Sequence, residues 1–125
     1  KQKSYPDSPS GLTGVQTMLP IMLDHVNNKK LTFQRLVELL SINPCKIFNI
    51  KKRGEIKEGY YADLTIIDMN LTFKITNDWI ASRCGWTPFN NKTVKGFPVG
   101  TIVNGKVASW NKKIVDNKFG KALEF

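Results

Sequence analysis

Gly54-Glu55-Ile56-Lys57-Glu58-Gly59-Tyr60-Tyr61-Ala62-Asp63-Leu64-Thr65-Ile66-Ile67-Asp68 is the stretch that decides how this chain folds. Gly54 and Gly59 supply the backbone freedom that turns need, and Leu64 to Ile67 is a short apolar strand bounded by Asp63 and Asp68. Asp63 is placed to accept backbone hydrogen bonds at the strand start rather than to do acid–base work. Further on, Thr101-Ile102-Val103-Asn104-Gly105-Lys106-Val107 reads as two β-rich runs joined by an Asn-Gly pair suited to a type I′ turn. Phe73-Lys74-Ile75 is another candidate strand, and Asp78 to Cys84 reads as a short helix closed by Gly85.

Before Gly54 the texture is helical. Val15, Met18, Leu19, Met22, Leu23 and Val26 recur at helical spacing, with Thr13 or Gly14 as the cap, and Pro20 in or just after the first turn predicts an irregular start followed by a helix to about Asn27. Thr32 caps a second helix whose stripe is Phe33, Leu36, Val37, Leu39 and Leu40 and whose end falls near Ser41. Asn43 and Pro44 open a third, with Asn43 as cap, carrying Ile47 and Phe48 inward. Residues 1–13 hold Pro6, Pro9 and Gly11 among polar residues and form a loop suited to binding rather than packing. The fold class is α+β, with helical and sheet parts dividing near residues 49–54.

Composition is that of a globular chain: 41% hydrophobic and 23% charged over 125 residues. The net charge of +9 raises nucleic acid as a partner. The basic residues argue against it. Lys29-Lys30, Lys51-Lys52-Arg53 and Lys112-Lys113 are scattered beside turns with no aromatic residues alternating, so they read as solvated surface and no nucleic-acid partner is expected. No apolar run approaches the ~20 residues of a membrane span, so no membrane partner is expected either. Cys45 and Cys84 lack C-x-x-C spacing and make neither a zinc site nor a disulfide framework, which points to a reducing cytoplasm.

The single histidine, His25, cannot build a dinuclear metal centre, and there is no G-x-G-x-x-G, no Walker loop and no G-x-S-x-G around Ser10. Trp79, Trp86 and Trp110 are assigned to core rather than to a binding platform. No catalytic or metal-ligating residue is therefore assigned in the chain, and its loop-like start without Met is what a fragment would have.

The 54–68 stretch resembles the G-x-I-x-x-G-x-x-A-D-L-x-x-x-D signature of the accessory β-sandwich in the amidohydrolase superfamily. Pro9-Ser10-Gly11-Leu12-Thr13-Gly14-Val15-Gln16-Thr17-Met18-Leu19-Pro20, then Ser41-Ile42-Asn43-Pro44-Cys45-Lys46-Ile47-Phe48, then Trp79-Ile80-Ala81-Ser82-Arg83-Cys84-Gly85-Trp86-Thr87-Pro88-Phe89 narrow the resemblance to cyclic amidohydrolases, and among them to dihydroorotases. Lys95-Gly96-Phe97-Pro98-Val99-Gly100-Thr101 and Val103-Asn104-Gly105 extend it, so that it covers residues 9–110.

The resemblance implies a parent enzyme built on a (β/α)8 TIM-type barrel with two zinc ions, interconverting N-carbamoyl-L-aspartate and dihydroorotate in de novo pyrimidine biosynthesis. Such a barrel needs about 250 residues. Residues 1–50 would then be the end of the barrel, the loop after strand 8 plus helices, and residues 51–125 a C-terminal β-sandwich segment and tail. The family's zinc ligands and catalytic aspartate match no position here, so the fragment itself is expected to be inactive. What carries over is the Pro-x-Gly segment that lies over the dihydroorotate ring: Pro9-Ser10-Gly11, which makes Ser10 and Gly11 the substrate-contact residues. Many relatives have Glu where this chain has Gln16, and allantoinases often have Gln, which keeps an allantoinase- or dihydropyrimidinase-type activity as the alternative. The Trp86-Thr87-Pro88-Phe89 run and Ser10 favour dihydroorotase. Implied partners are the missing N-terminal half, a second copy in a homo-oligomer, or aspartate transcarbamoylase if the parent is a catalytically dead homologue.

Overall fold

Helix α1 spans Val15–Asn27 in a computed structural model that describes residues 3–4, 6–8, 10–115 and 119–125; it ends where predicted, but the expected irregular start is absent and Pro20 lies inside the helix. Gly14 is its N-cap residue and no side chain caps it; Thr13 turns its hydroxyl elsewhere. Thr17, Pro20, Ile21 and Leu23 form its buried face.

Thr32 caps α2 (Phe33–Val37) as expected, its Oγ1 accepting from the Arg35 N–H at 3.1 Å. The expected break at Asn43 does not occur. Helical backbone continues through a π-helical stretch, Glu38–Ile42, into α3, Asn43–Ile47, and Val37, Glu38, Ile42 and Asn43 all keep right-handed helical dihedrals. Pro44 supplies the reason. It has no N–H to give the carbonyl four residues back and its ring crowds that turn, so the preceding turn widens instead of ending. The inward placement of Ile47 and Phe48 is also corrected: they are 74% and 64% exposed, and of the α2 stripe only Leu36 is fully buried.

An irregular segment, residues 48–63, leads to an antiparallel sheet of β1 (Leu64–Lys74), β2 (Thr93–Val103), β3 (Lys106–Trp110) and β4 (Lys113–Ile114), in that spatial order. Leu64–Ile67 and Phe73-Lys74 belong to one strand rather than two. Its ladder is interrupted between the pairs Asp68↔Phe97 and Thr72↔Lys95, where β1 bulges, and Asp68 Oδ1 accepts the Asn70 and Leu71 N–H groups at 2.8 and 3.2 Å. The predicted hairpin joins β2 to β3: Asn104 and Gly105 take φ of +48° and +79°. Asp63 Oδ1 accepts the Asn104 N–H at 2.7 Å, the backbone role expected of it, and its other oxygen pairs with Arg53.

Helix α1 docks where β1 bulges. The Lys95 N–H donates to Asp24 Oδ1 at 3.0 Å, while Asn27 Nδ2 donates to the Lys95 carbonyl at 2.8 Å and to the Met69 carbonyl at 3.1 Å. Backbone groups around the interrupted ladder thus find partners on the helix. Gly96, with φ of +100°, lets the helix approach the strand's backbone directly.

The core forms below this junction. Ile21, Ile75 and Val94 are buried together, with Phe73, Trp79 and Phe89 packed against them. The Phe73 ring stands 4.9 Å from Trp79, edge-on, and 4.5 Å from Phe97. Trp79 is core as expected, but Trp110 is 45% exposed and lies flat over Gly100, where a Cβ would come within 2.7 Å of its ring.

Candidate functional site

The expected helix over Asp78–Cys84 is a single 3-10 turn, Asn77–Trp79, followed by open loop. Tertiary bonds compete for its backbone. Gln16, in the first turn of α1, donates from Nε2 to the Trp79 carbonyl at 2.7 Å and accepts the Ala81 N–H on Oε1 at 2.9 Å. Those groups are therefore engaged by a side chain instead of a helical ladder. The loop is braced at its other end by Asn77 Oδ1, which accepts the Thr87 N–H, and by Asn90 Oδ1, which accepts the Asn77 N–H, each at 3.0 Å.

Thr13 adds a second tie, its Oγ1 donating to the Trp86 carbonyl at 2.8 Å. Between the tied segments lies an open cleft of about 440 Å³, walled by Leu12–Thr17 on one side and Ile80, Ala81 and Ser82 on the other.

Ser10 and Gly11 lead directly into this wall and are exposed. Gly11 takes φ of +88°, and no described residue beyond its chain neighbours comes within 4 Å of the place a Cβ would occupy. Pro9, the first residue of the quoted Pro-x-Gly segment, lies outside the described residues. Cys84 sits on the tied loop with its Sγ 3.3 Å from Ser82 Oγ, and that hydroxyl contact, helped by the Trp86 backbone, draws the thiol below its ordinary pKa.

The zinc that the resemblance implies does not fit these residues. Among the described residues no group of three or more His, Cys, Asp or Glu is placed to hold a metal, and His25 is a half-buried residue of α1. No described helix is long and apolar enough to cross a membrane.

Thr13 was legible only as a possible cap and Gln16 only as a departure from relatives. The signal for both was their polarity just where an apolar helical stripe begins.

A segment of this kind, a loop and helix tied to a small antiparallel sheet, places the chain in the amidohydrolase family, whose model matches residues 7–108, and the chain belongs to it. Particular relatives sharpen this. The chain is 40% identical over 121 residues to a protein of Methanosphaera stadtmanae named dihydroorotase, covering 95% of this chain and 28% of that one. It is 37% identical over 109 residues to a dihydroorotase of Carboxydothermus hydrogenoformans, covering 86% of this chain and 25% of that one. Among solved structures, an L-hydantoinase (dihydropyrimidinase) from Arthrobacter aurescens superposes with a TM-score of 0.87 at 33% identity, covering 93% of this chain and 26% of the other. The chain spans about a quarter of the length of the relatives it matches.

Proposed function

We propose that this chain is the substrate-loop and accessory-sheet segment of a dihydroorotase, the cytoplasmic zinc amidohydrolase that interconverts N-carbamoyl-L-aspartate and dihydroorotate in pyrimidine biosynthesis. The observation that carries the reading is the 40% identity to a dihydroorotase across 95% of the chain. In this reading residues 1–50 close the barrel, residues 51–125 contribute to the β-sandwich, and the zinc ligands and catalytic aspartate lie in the rest of the protein. The exposed Val15, Ile47 and Phe48 support it, because a barrel would give these apolar side chains something to pack on.

The part played by this chain is binding. Ser10 and Gly11 form a strap over the ring, and the peptide at Gly11 can offer N–H and C=O groups to a flat cyclic amide without a side chain intervening. Exclusion of water from the reacting carbonyl follows from the same coverage.

The test is the substrate preference of the whole protein that carries this segment, assayed on dihydroorotate, hydantoin and dihydrouracil. Dihydroorotate should have the highest kcat/KM. Preference for hydantoin or dihydrouracil would move the assignment to the hydantoinase side of the family, and turnover of none would leave a non-catalytic homologue.

A further inference from the structure

We propose that Gln16 is a positioning residue that sets the substrate strap, and that it acts through its amide rather than through its charge class or size. The proposal rests on the reading of Ser10 and Gly11 as the ring-contacting residues. Among the described residues beyond its chain neighbours, none comes within 4 Å of the Gly11 Cβ position, so no packed side chain among them fixes its place. Its position has to come through the chain, and among the described residues the nearest side chains bonded to a distant part of the structure are those of Thr13 and Gln16. Both are tied to the same loop, residues 79–86, which forms the facing wall of the cleft.

The chemistry of the tie is specific. A carboxamide carries a donor and an acceptor, and Gln16 uses both, one on the Trp79 carbonyl and one on the Ala81 N–H. Glutamate at this position could still accept from Ala81 but would set an acceptor-only carboxylate against the Trp79 oxygen. Methionine, of similar length, would leave both backbone groups without a partner. Asparagine is too short to span them. The cleft width and the strap above it therefore depend on which atoms end this side chain.

The experiment compares Gln16→Glu, Gln16→Met and Thr13→Val in the whole protein, reading KM and kcat for dihydroorotate, hydrogen exchange of the Ala81 amide, and chymotrypsin cleavage after the exposed Leu12. Each variant should raise KM, by roughly tenfold for either change at Gln16, with kcat within about twofold, as loss of a half-buried bonding partner predicts. The Ala81 amide should exchange faster in Gln16→Met and stay protected in Gln16→Glu, whose carboxylate still accepts it. Cleavage after Leu12 should quicken in all three. Unchanged KM in an active protein overturns the proposal, and so does an Ala81 amide equally protected in the methionine variant. If the wild-type protein does not turn over dihydroorotate, the functional reading fails separately, and the tie is then judged on exchange and cleavage alone: unaltered rates of both in Gln16→Met overturn it.

Discussion

Leu23 of α1 lies against Gly96 of β2 so closely that a Cβ built on the glycine would stand 2.7 Å from the leucine Cβ. The Leu23 Cβ and the Asn27 amide reach the strand backbone here, with no strand side chain in their way. Gly96→Ala would have to push the helix away while adopting φ of +100°, which L-residues rarely do. It should cost about 2–4 kcal/mol, combining overpacking with left-handed strain. Urea denaturation of the variant reads this directly, and an unshifted midpoint would refute the contact.

Asp24 and Asn27 flank that contact and should behave as one unit. Asp24→Ala strands the Lys95 N–H; Asn27→Ala strands the Lys95 and Met69 carbonyls. Each should destabilise by about 0.5–1.5 kcal/mol, since the bonds to Lys95 are exposed to solvent. Because both partners grip Lys95, the double variant should lose less than the sum, and strict additivity in a double-mutant cycle would argue that the two bonds are independent.

Gly11→Val tests the strap. Among the described residues nothing crowds the Gly11 Cβ position, but φ of +88° strains any L side chain there, so valine would shift the strap's backbone as well as place a β-branched group on the face proposed for substrate. KM for dihydroorotate should rise sharply or turnover disappear, with metal content unchanged. Wild-type kinetics in this variant would remove Gly11 from the site.

Cys84 offers a pH-dependent readout. A thiol held below its ordinary pKa is thiolate at a lower pH than a free cysteine, so its alkylation by iodoacetamide should reach half its maximal rate below the usual thiol range. The Ser82 hydroxyl is the largest cause, and Ser82→Ala should move that midpoint upward. A midpoint indifferent to Ser82 would dissociate the shift from the loop geometry.

The chain by itself, with or without added zinc, should leave dihydroorotate intact. A catalytic zinc takes about three protein ligands, and the described residues gather no such group. Loss of dihydroorotate above a buffer-plus-zinc control, followed by absorbance, would place chemistry in this segment after all.

Local signals carried much of the fold. The Asn104-Gly105 turn, the Thr32 cap and the end of α1 at Asn27 each depend on residues close in sequence, and each emerged where expected. The failures involve influences that local pattern does not contain. Residues 78–84 have helical composition, but Gln16, at a separation of 63–65 residues, claims the backbone groups a helix would use. Asn43-Pro44 looks like a helix start because the same pair also fits inside a helix that can widen by one residue. In the candidate site, Ser10 and Gly11 were named only through resemblance; their own residue types carry no pattern that distinguishes a substrate strap from a turn.

The bond between Asp24 and Lys95 joins positions 71 apart in the chain. The β2–β3 hairpin closes over two residues and can form within about 1–10 μs of being available. On a ribosome adding about 5–20 residues per second, α1 emerges roughly 4–14 s before the strand that will receive it. During that interval Ile21 lacks Ile75 and Val94, and Leu23 lacks Gly96, so the sheet-facing side of α1 is completed last, by residues that have yet to be made.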